Sequence, residues 1–486
     1  MSGLPKGWVE SNALEIAEPV RGVSYKKEQV RFASEAGYTA VLRANNIQEN
    51  KILLEDLVFV PDANINPLQR LLKNDVVIAM SSGSLSVVGK SAQVSSNLNA
   101  SFGAFCGALR PHSIIDPRYL GLFLKSDLYR RTISNLARGT NINNLKWEHF
   151  KEIPLPLAPR DEQKRIADKL DTVLARVDAC RERLNRVPLI LKRFRQSVLA
   201  AATSGKLTED WRKLNISVID EPNVIEAILS PIVIHESDKR NTPSGWEWIN
   251  LTKLAKLESG HTPRKTVPEY WENGDIPWIS LQDIRNADGR ELFDTKYKPT
   301  QIGIDNSSAR ILPKGTVCFC RDISFGYVTI MGRPMATTQH FANWVCNENL
   351  LPKFLMYVFM AGRNFLSMSG QGTTVTTIYM PALKELKILR PSIAEQTEIV
   401  RRVETLFAFA DRLETRLANA SAAADKLTPA FLAKAFRGEL VPQDPNDEPA
   451  SALLQRLAQA NAGKEKAPRA KRGTQASKVT QGQMPA

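Results

Sequence analysis

The sequence predicts an α/β (α+β) molecule made twice over: two similar globular domains, each followed by a long helix, with the helices paired as an antiparallel coiled coil. Three observations predict it. At an offset of 233 residues Gly139-Thr140 falls on Gly372-Thr373, Glu162-Gln163 on Glu395-Gln396, and Gly205-Lys206-Leu207 on Gly438-Glu439-Leu440. A long apolar pattern of helical period follows each Glu-Gln pair. Short apolar runs bounded by turn residues fill the stretches between. A unit of this size repeated once means two like domains joined to two like helices.

The first domain, residues 1–157, opens with Leu4-Pro5-Lys6-Gly7-Trp8, which returns as Thr242-Pro243-Ser244-Gly245-Trp246; Gly22 returns as Gly260. Val76-Val77-Ile78-Ala79 reads as a strand. The first spacer helix, 158–205, carries apolar residues stepping by four and three at Ile166, Leu170, Val173, Val177, Cys180, Leu184, Val187, Leu191, Phe194 and Val198. Such 3.5-residue spacing is a coiled-coil signal. A connector, 206–240, holds a short helix around 224–229, and Asp220-Glu221-Pro222 within it returns as Asp447-Glu448-Pro449. The second domain, 241–391, has its matching strand at Thr316-Val317-Cys318-Phe319. The second spacer helix, 392–438, repeats the seam at Ile399, Val403, Leu406, Ala410, Leu413, Leu417, Ala420, Ala424, Leu427 and Phe431. Pro188 and Pro429 are expected to kink or restart these helices. The seams match one to one, so the helices are expected to pack on each other; packing of each on its own domain is the alternative. The pattern does not show direction, but a two-fold-like arrangement of repeats favours antiparallel. An extension with a short helix, 439–462, and a disordered basic tail, 463–486, close the chain.

A chain of 486 residues can bury at least two cores, and a net charge of +14 with a pI near 9.5 favours a polyanionic partner. Five scattered cysteines fit a reducing cytoplasm, no signal peptide opens the chain, and no apolar run reaches the ~20 residues that span a bilayer. The two domains diverge where polar residues cluster. Leu42-Arg43-Ala44-Asn45-Asn46-Ile47 in one faces Ile279-Ser280-Leu281-Gln282-Asp283-Ile284 in the other. Ser81-Ser82-Gly83-Ser84 faces Arg321-Asp322-Ile323-Ser324. A shared scaffold with exchanged polar side chains suggests two readers of different texts. Arginine suits guanine, Asn and Gln suit adenine, and Asp suits cytosine. The candidate DNA-binding residues are therefore Arg43, Asn45, Asn46, Ser81, Ser82, Ser84, Thr262, Arg264, Lys265, Ser280, Gln282, Asp283, Arg321, Asp322, Gln339 and His340. Lys90 and Arg333 are candidate phosphate contacts, matched through Val88-Gly89-Lys90 and Met331-Gly332-Arg333. Any one of these can equally be a capping or surface residue, and His340 a core-edge residue.

On these motifs the chain resembles the DNA-specificity subunit of type I restriction-modification systems. The resemblance rests on the paired Pro-x-Gly-Trp openings, on Leu42-Arg43-Ala44-Asn45-Asn46-Ile47-Gln48, on Gly274-Asp275-Ile276-Pro277-Trp278-Ile279, on both Glu-Gln pairs, and on Gly205-Lys206-Leu207-Thr208 and Gly438-Glu439-Leu440-Val441-Pro442. It implies that each globular half is a target-recognition domain reading one half of a split double-stranded DNA sequence, in a bacterial or archaeal cytoplasm. It implies that the paired helices set the gap and dock two adenine-methyltransferase subunits, with nuclease/translocase subunits joining the assembly. It implies no catalysis and no cofactor in this chain, S-adenosylmethionine belonging to the methyltransferase. No membrane and no metal is expected. A stand-alone DNA-binding scaffold or regulator is the alternative.

Several motifs mislead. The stretch from Gly83 to Ser91 resembles a phosphate-binding loop but has five residues between its glycines where the motif needs four. Cys318-Phe319-Cys320 has the wrong spacing for zinc, and strand alternation puts both thiols on one buried face.

Overall fold

A computed structural model of the chain describes residues 3–48, 50–137, 143–215, 230–234, 242–369 and 377–465. The helix expected near 224–229, the repeats Gly139-Thr140, Gly372-Thr373 and Asp220-Glu221-Pro222, and His235 lie outside them, as does the tail from residue 466. The chain divides into two compact units: residues 1–183 with 420–486, and residues 184–419.

In the first unit the apolar run Val76–Ala79 becomes an inner strand. Its antiparallel sheet has the order Ala17–Arg21, Cys106–Pro111, Val76–Ala79, Ser91–Gln93. Alternation sends Val76 and Ile78 into a core shared with the helices Pro117–Phe123 and Asp127–Leu136. It sends Val77 and Ala79 into a second core with Leu42, Ile47 and Phe102. These last belong to a smaller layer in which Ala100–Phe102 pairs parallel with Tyr38–Leu42, and Tyr38–Leu42 antiparallel with Val58–Pro61.

The second unit repeats the plan. Its main sheet has the order Ala255–Ser259, Phe341–Cys346, Val317–Cys320, Val328–Met331, with Glu291–Leu292 added in parallel at the edge. Val317 and Phe319 face the helical side, whereas Cys318 and Cys320 face the small layer, as alternation predicts. There Trp278–Ile279 runs parallel to Ala336–Thr337. The repeated glycine has a steric cause. A Cβ on Gly22 would lie 2.1 Å from the Gly103 carbonyl oxygen, and one on Gly260 2.1 Å from Thr337 Oγ1, so only glycine admits this close approach.

Both spacer helices form, as Arg160–Thr203 and Ile393–Phe436. Neither restarts at its proline. Pro188 and Pro429 sit inside continuous 44-residue helices, because one lost hydrogen bond is outweighed by packing on either side. In the first unit Ile166 and Leu170 share a core with Leu432 and Phe436, and the Arg181 guanidinium donates to the Ala424 carbonyl (3.2 Å). In the second, Val198 shares a core with Ile399 and Val403, and Arg195 donates to Glu414 Oε1 (3.0 Å). Within each unit the paired segments therefore run antiparallel. Val177, Leu191, Ala410 and Ala424 are buried; Val173, Leu184, Leu406, Leu413 and Leu417 are half-buried. Cys180, Ala420 and Leu427 are exposed, contrary to the seam pattern. A straight helix of 3.6 residues per turn drifts off a 3.5 repeat, so Arg181 and Thr428 replace Cys180 and Leu427 at the contact.

The connector is more than a spacer. Glu209–Asn215 is helical, and Ile232–Val233 joins a sheet with Lys387–Arg390 and Glu247–Asn250. After the second spacer helix, the helix Ala450–Glu465 returns to the first unit. Ala450 and Leu457 enter the core beside Trp8, Ala13 and Ile16, and Ala450 N donates to the Gly7 carbonyl (2.9 Å). Among the described residues no helix is long and apolar enough to cross a membrane, and no His/Cys/Asp/Glu group is arranged to hold a metal.

Candidate nucleic-acid interface

The topology gathers loops at one end of each domain. In the N-terminal domain Tyr38–Leu42, Val76–Ala79 and Ala100–Phe102 all end on the same side, and Ser91–Gln93 begins there. Arg43, Asn45, Ser81, Ser82, Ser84 and Lys90 follow or precede these strands and so stand together. The Arg43 guanidinium donates to the Asp56 carbonyl (2.7 Å), holding its loop. Burial raises the Tyr25 phenol pKa, with Arg43 as the opposing influence. Ser81–Ser82 pairs with Asn143–Asn144, and Ser84 N donates to Ser82 Oγ (3.2 Å). Asn45 and Ser84 are exposed; Lys90 is half-buried.

The equivalent end of the C-terminal domain carries a hydrogen-bonded cluster. Thr262 Oγ1 donates to Gln339 Oε1 (2.7 Å), and the Arg321 guanidinium to the Gln339 carbonyl (3.1 Å). His340 Nδ1 lies 2.8 Å from Asp322 Oδ1, and Arg321 N donates to the His340 carbonyl (3.0 Å). Five predicted residues thus meet in space although they come from three loops. Gln282 is exposed and donates to Asn286 Oδ1 (3.1 Å) on its own helix, and Arg264 and Lys265 are exposed on the loop that follows Ala255–Ser259.

Other predicted residues do local work. Asn46 is buried: its Oδ1 accepts from Arg43 N (2.9 Å) and its Nδ2 donates to the Leu53 and Glu55 carbonyls (3.1 and 2.7 Å). Ser280 and Asp283 form a buried capping box at the start of the helix Leu281–Asn286. These three shape the loops from within. Arg333 stands elsewhere. The structure matches Gly89 with Gly326, both at positive φ and both donating to the last residue of the inner strand, Ala79 or Cys320. Lys90 therefore corresponds to Tyr327, while Arg333 lies beyond the far end of Val328–Met331 and pairs with Asp294 (3.0 Å). Gly-Lys and Gly-Arg in matching apolar surroundings are a coincidence of sequence.

Three residues outside the sequence-based candidates, Phe105, Arg21 and Lys146, are exposed at the same end of the N-terminal domain. Phe105 is 71% exposed on the turn between Ala100–Phe102 and Cys106–Pro111. Arg21 and Lys146 border a cleft of about 500 Å³ beside that turn. No local signal marks them, since Ala104-Phe105-Cys106 reads as core until the turn is known.

The repeated Trp and Glu-Gln motifs tie each domain to its helix. Trp8 Nε1 donates to Glu162 Oε2 (2.9 Å), and Trp246 Nε1 to Glu395 Oε2 (3.0 Å). Gln163 Oε1 accepts from Asp116 N (3.0 Å), and Gln396 Oε1 from Leu351 N (2.8 Å). Glu395 Oε1 also accepts from the buried Arg212 guanidinium (2.7 Å) and from Thr208 Oγ1 (2.6 Å). Glu162 Oε1 is buried with no hydrogen-bond partner among the described residues. Burial pushes the Glu162 carboxyl above its ordinary pKa, against the Trp8 hydrogen bond.

A family model described as the type I restriction modification DNA specificity domain matches residues 5–189 and 243–420. The StySPI specificity subunit of Salmonella potsdam is 37% identical over 477 residues, covering 93% of this chain and 95% of the relative. The EcoKI specificity subunit of Escherichia coli K12 is 38% identical over 477 residues with the same coverage. A chain solved to explain complex assembly and conformational transition of the type I R-M system superposes with a TM-score of 0.62. It is 17% identical and covers 90% of this chain and 100% of that one.

Proposed function

Because the chain belongs to the type I restriction-modification DNA-specificity family, we propose that its two loop clusters read the two halves of a split double-stranded DNA sequence while the helix pair holds the gap. The chain is a non-catalytic specificity subunit. One observation supports this division of labour: equivalent ends of two equivalent sheets carry different polar side chains, Arg43, Asn45 and Ser81 in one, Thr262, Arg321, Asp322, Gln339 and His340 in the other. Such groups can address base edges, whereas Lys90, Arg264 and Lys265 suit phosphates. Two adenine-methyltransferase subunits dock on the helical region and bring S-adenosylmethionine with them. Nuclease/translocase subunits add restriction to modification. The assembly works in a bacterial or archaeal cytoplasm.

A genome-wide map of methylated adenines, with the gene intact and deleted, tests this. Loss of one split motif on deletion is the expected result. An unchanged map overturns it.

A further inference from the structure

We propose that Phe105 is the apolar reading element of the N-terminal domain, packing its ring against a base of the bound DNA while Arg21 and Lys146, on the rim of the adjoining cleft, hold phosphates. This rests on the DNA-specificity reading above and extends it to residues outside the polar clusters.

The turn that presents Phe105 is fixed on every side. Its carbonyl accepts from Met80 N (2.8 Å) and Ser81 N (3.2 Å), Cys106 N donates to the Gly103 carbonyl (2.8 Å), and Gly103 N to the Leu42 carbonyl (2.9 Å). Gly22 presses beneath, where a Cβ would meet the Gly103 carbonyl oxygen at 2.1 Å and the Cys106 carbonyl oxygen at 2.9 Å. The backbone is thus held by four hydrogen bonds while the ring stays 71% exposed. Folding gains little from such a ring, and its rigid mounting suits a contact made with something else. Ser81 and Ser82 stand beside the turn, and next to it lies the cleft of about 500 Å³ whose rim includes Arg21, Ser24, Asn144, Lys146 and the carboxylate Glu148. Both cations are exposed and set for a backbone running past the turn.

The C-terminal domain supplies the contrast. Its turn at the same place, after Ala336–Thr337, bears Gln339 and His340, tied to Thr262 and Asp322. One domain therefore offers hydrogen-bonding groups at this position and the other an apolar ring. A phenylalanine reads DNA through a thymine methyl or a base face, contacts that phosphate chemistry cannot supply.

The test uses the full chain assembled with its modification subunits and a pool of random-sequence duplexes, selected for binding and sequenced. Phe105→Ala, Phe105→Leu and Lys146→Ala are compared with the parent. Phe105→Ala is expected to bind the parental motif about tenfold more weakly and to lose preference at adjacent positions in one half-site. The other half and the gap stay, the slope of affinity against salt is unchanged, and Phe105→Leu recovers part of the loss. Lys146→Ala weakens all sequences alike and reduces the salt slope by about one. Retention by Phe105→Ala of the whole motif with affinity within about twofold overturns the proposal, as does a shallower salt slope with preference intact. If the parent itself selects no split motif, the specificity reading fails first and this proposal with it.

Discussion

At Glu395 both carboxylate oxygens are occupied, one by Trp246 and the other by Arg212 and Thr208. At Glu162 only Trp8 donates among the described residues; the residues 233 positions beyond Thr208 and Arg212 are Val441 and Pro445. Glu395→Gln removes the buried carboxylate that pairs with the Arg212 guanidinium and should cost about 1.5–3 kcal/mol in urea unfolding. Glu162→Gln should behave oppositely. Its raised pKa means the protonated carboxyl is favoured on folding, a contribution present below the ordinary carboxylate pKa and lost as pH rises through the folded value. The variant should therefore match the parent in acid and exceed it near neutrality. Glu398, held down to about 2 by Arg401 and then Arg402, has the reverse sign, so its contribution is lost only as pH falls toward that value. At the loop ends, Arg43→Ala should change which sequence is preferred, and Lys90→Ala should weaken all sequences about equally. Binding to matched and mismatched duplexes separates the two, and a changed preference in Lys90→Ala would refute its phosphate role.

Each spacer helix spans 44 residues, about 66 Å at 1.5 Å per residue. Inserting one matched heptad in both adds ~10 Å, about three base pairs, and preserves the seam. The methylated motif should keep both halves and widen its gap; an altered half with the old gap would sink the ruler idea. At this scale the sequence was most legible. Regular apolar spacing marked both helices, and the inner strands Val76–Ala79 and Val317–Cys320 appeared where apolar runs met turns. Loops were legible only in part. Ser280-Leu281-Gln282-Asp283 carries a capping pattern that could have removed Ser280 and Asp283 from the readers. The false match of Arg333 with Lys90 had no such remedy, because only hydrogen-bond register links Gly89 to Gly326. Phe105 was illegible for the same reason: its exposure comes from a turn closed by residues distant in sequence.

For the whole molecule, basic surfaces contacting six to ten phosphates predict that affinity falls by roughly 10³–10⁵ between low and moderate salt, measurable by duplex titration. A decline far shallower than that would shift the balance to base contacts. The helix Ala450–Glu465 has a consequence of another kind. It docks beside Gly7, Ala13 and Ile16, Asp447 grips Arg165 (2.6 Å), and Gly438 abuts Pro5. In connectivity the chain is therefore close to a loop with a seam. Opening that loop between Asn215 and Ser230, and joining residue 465 to residue 3 through a flexible linker, keeps every contact described within either unit. Such a circular permutant should melt with the parent and select the same DNA, whereas one opened within Val76–Ala79 should not fold.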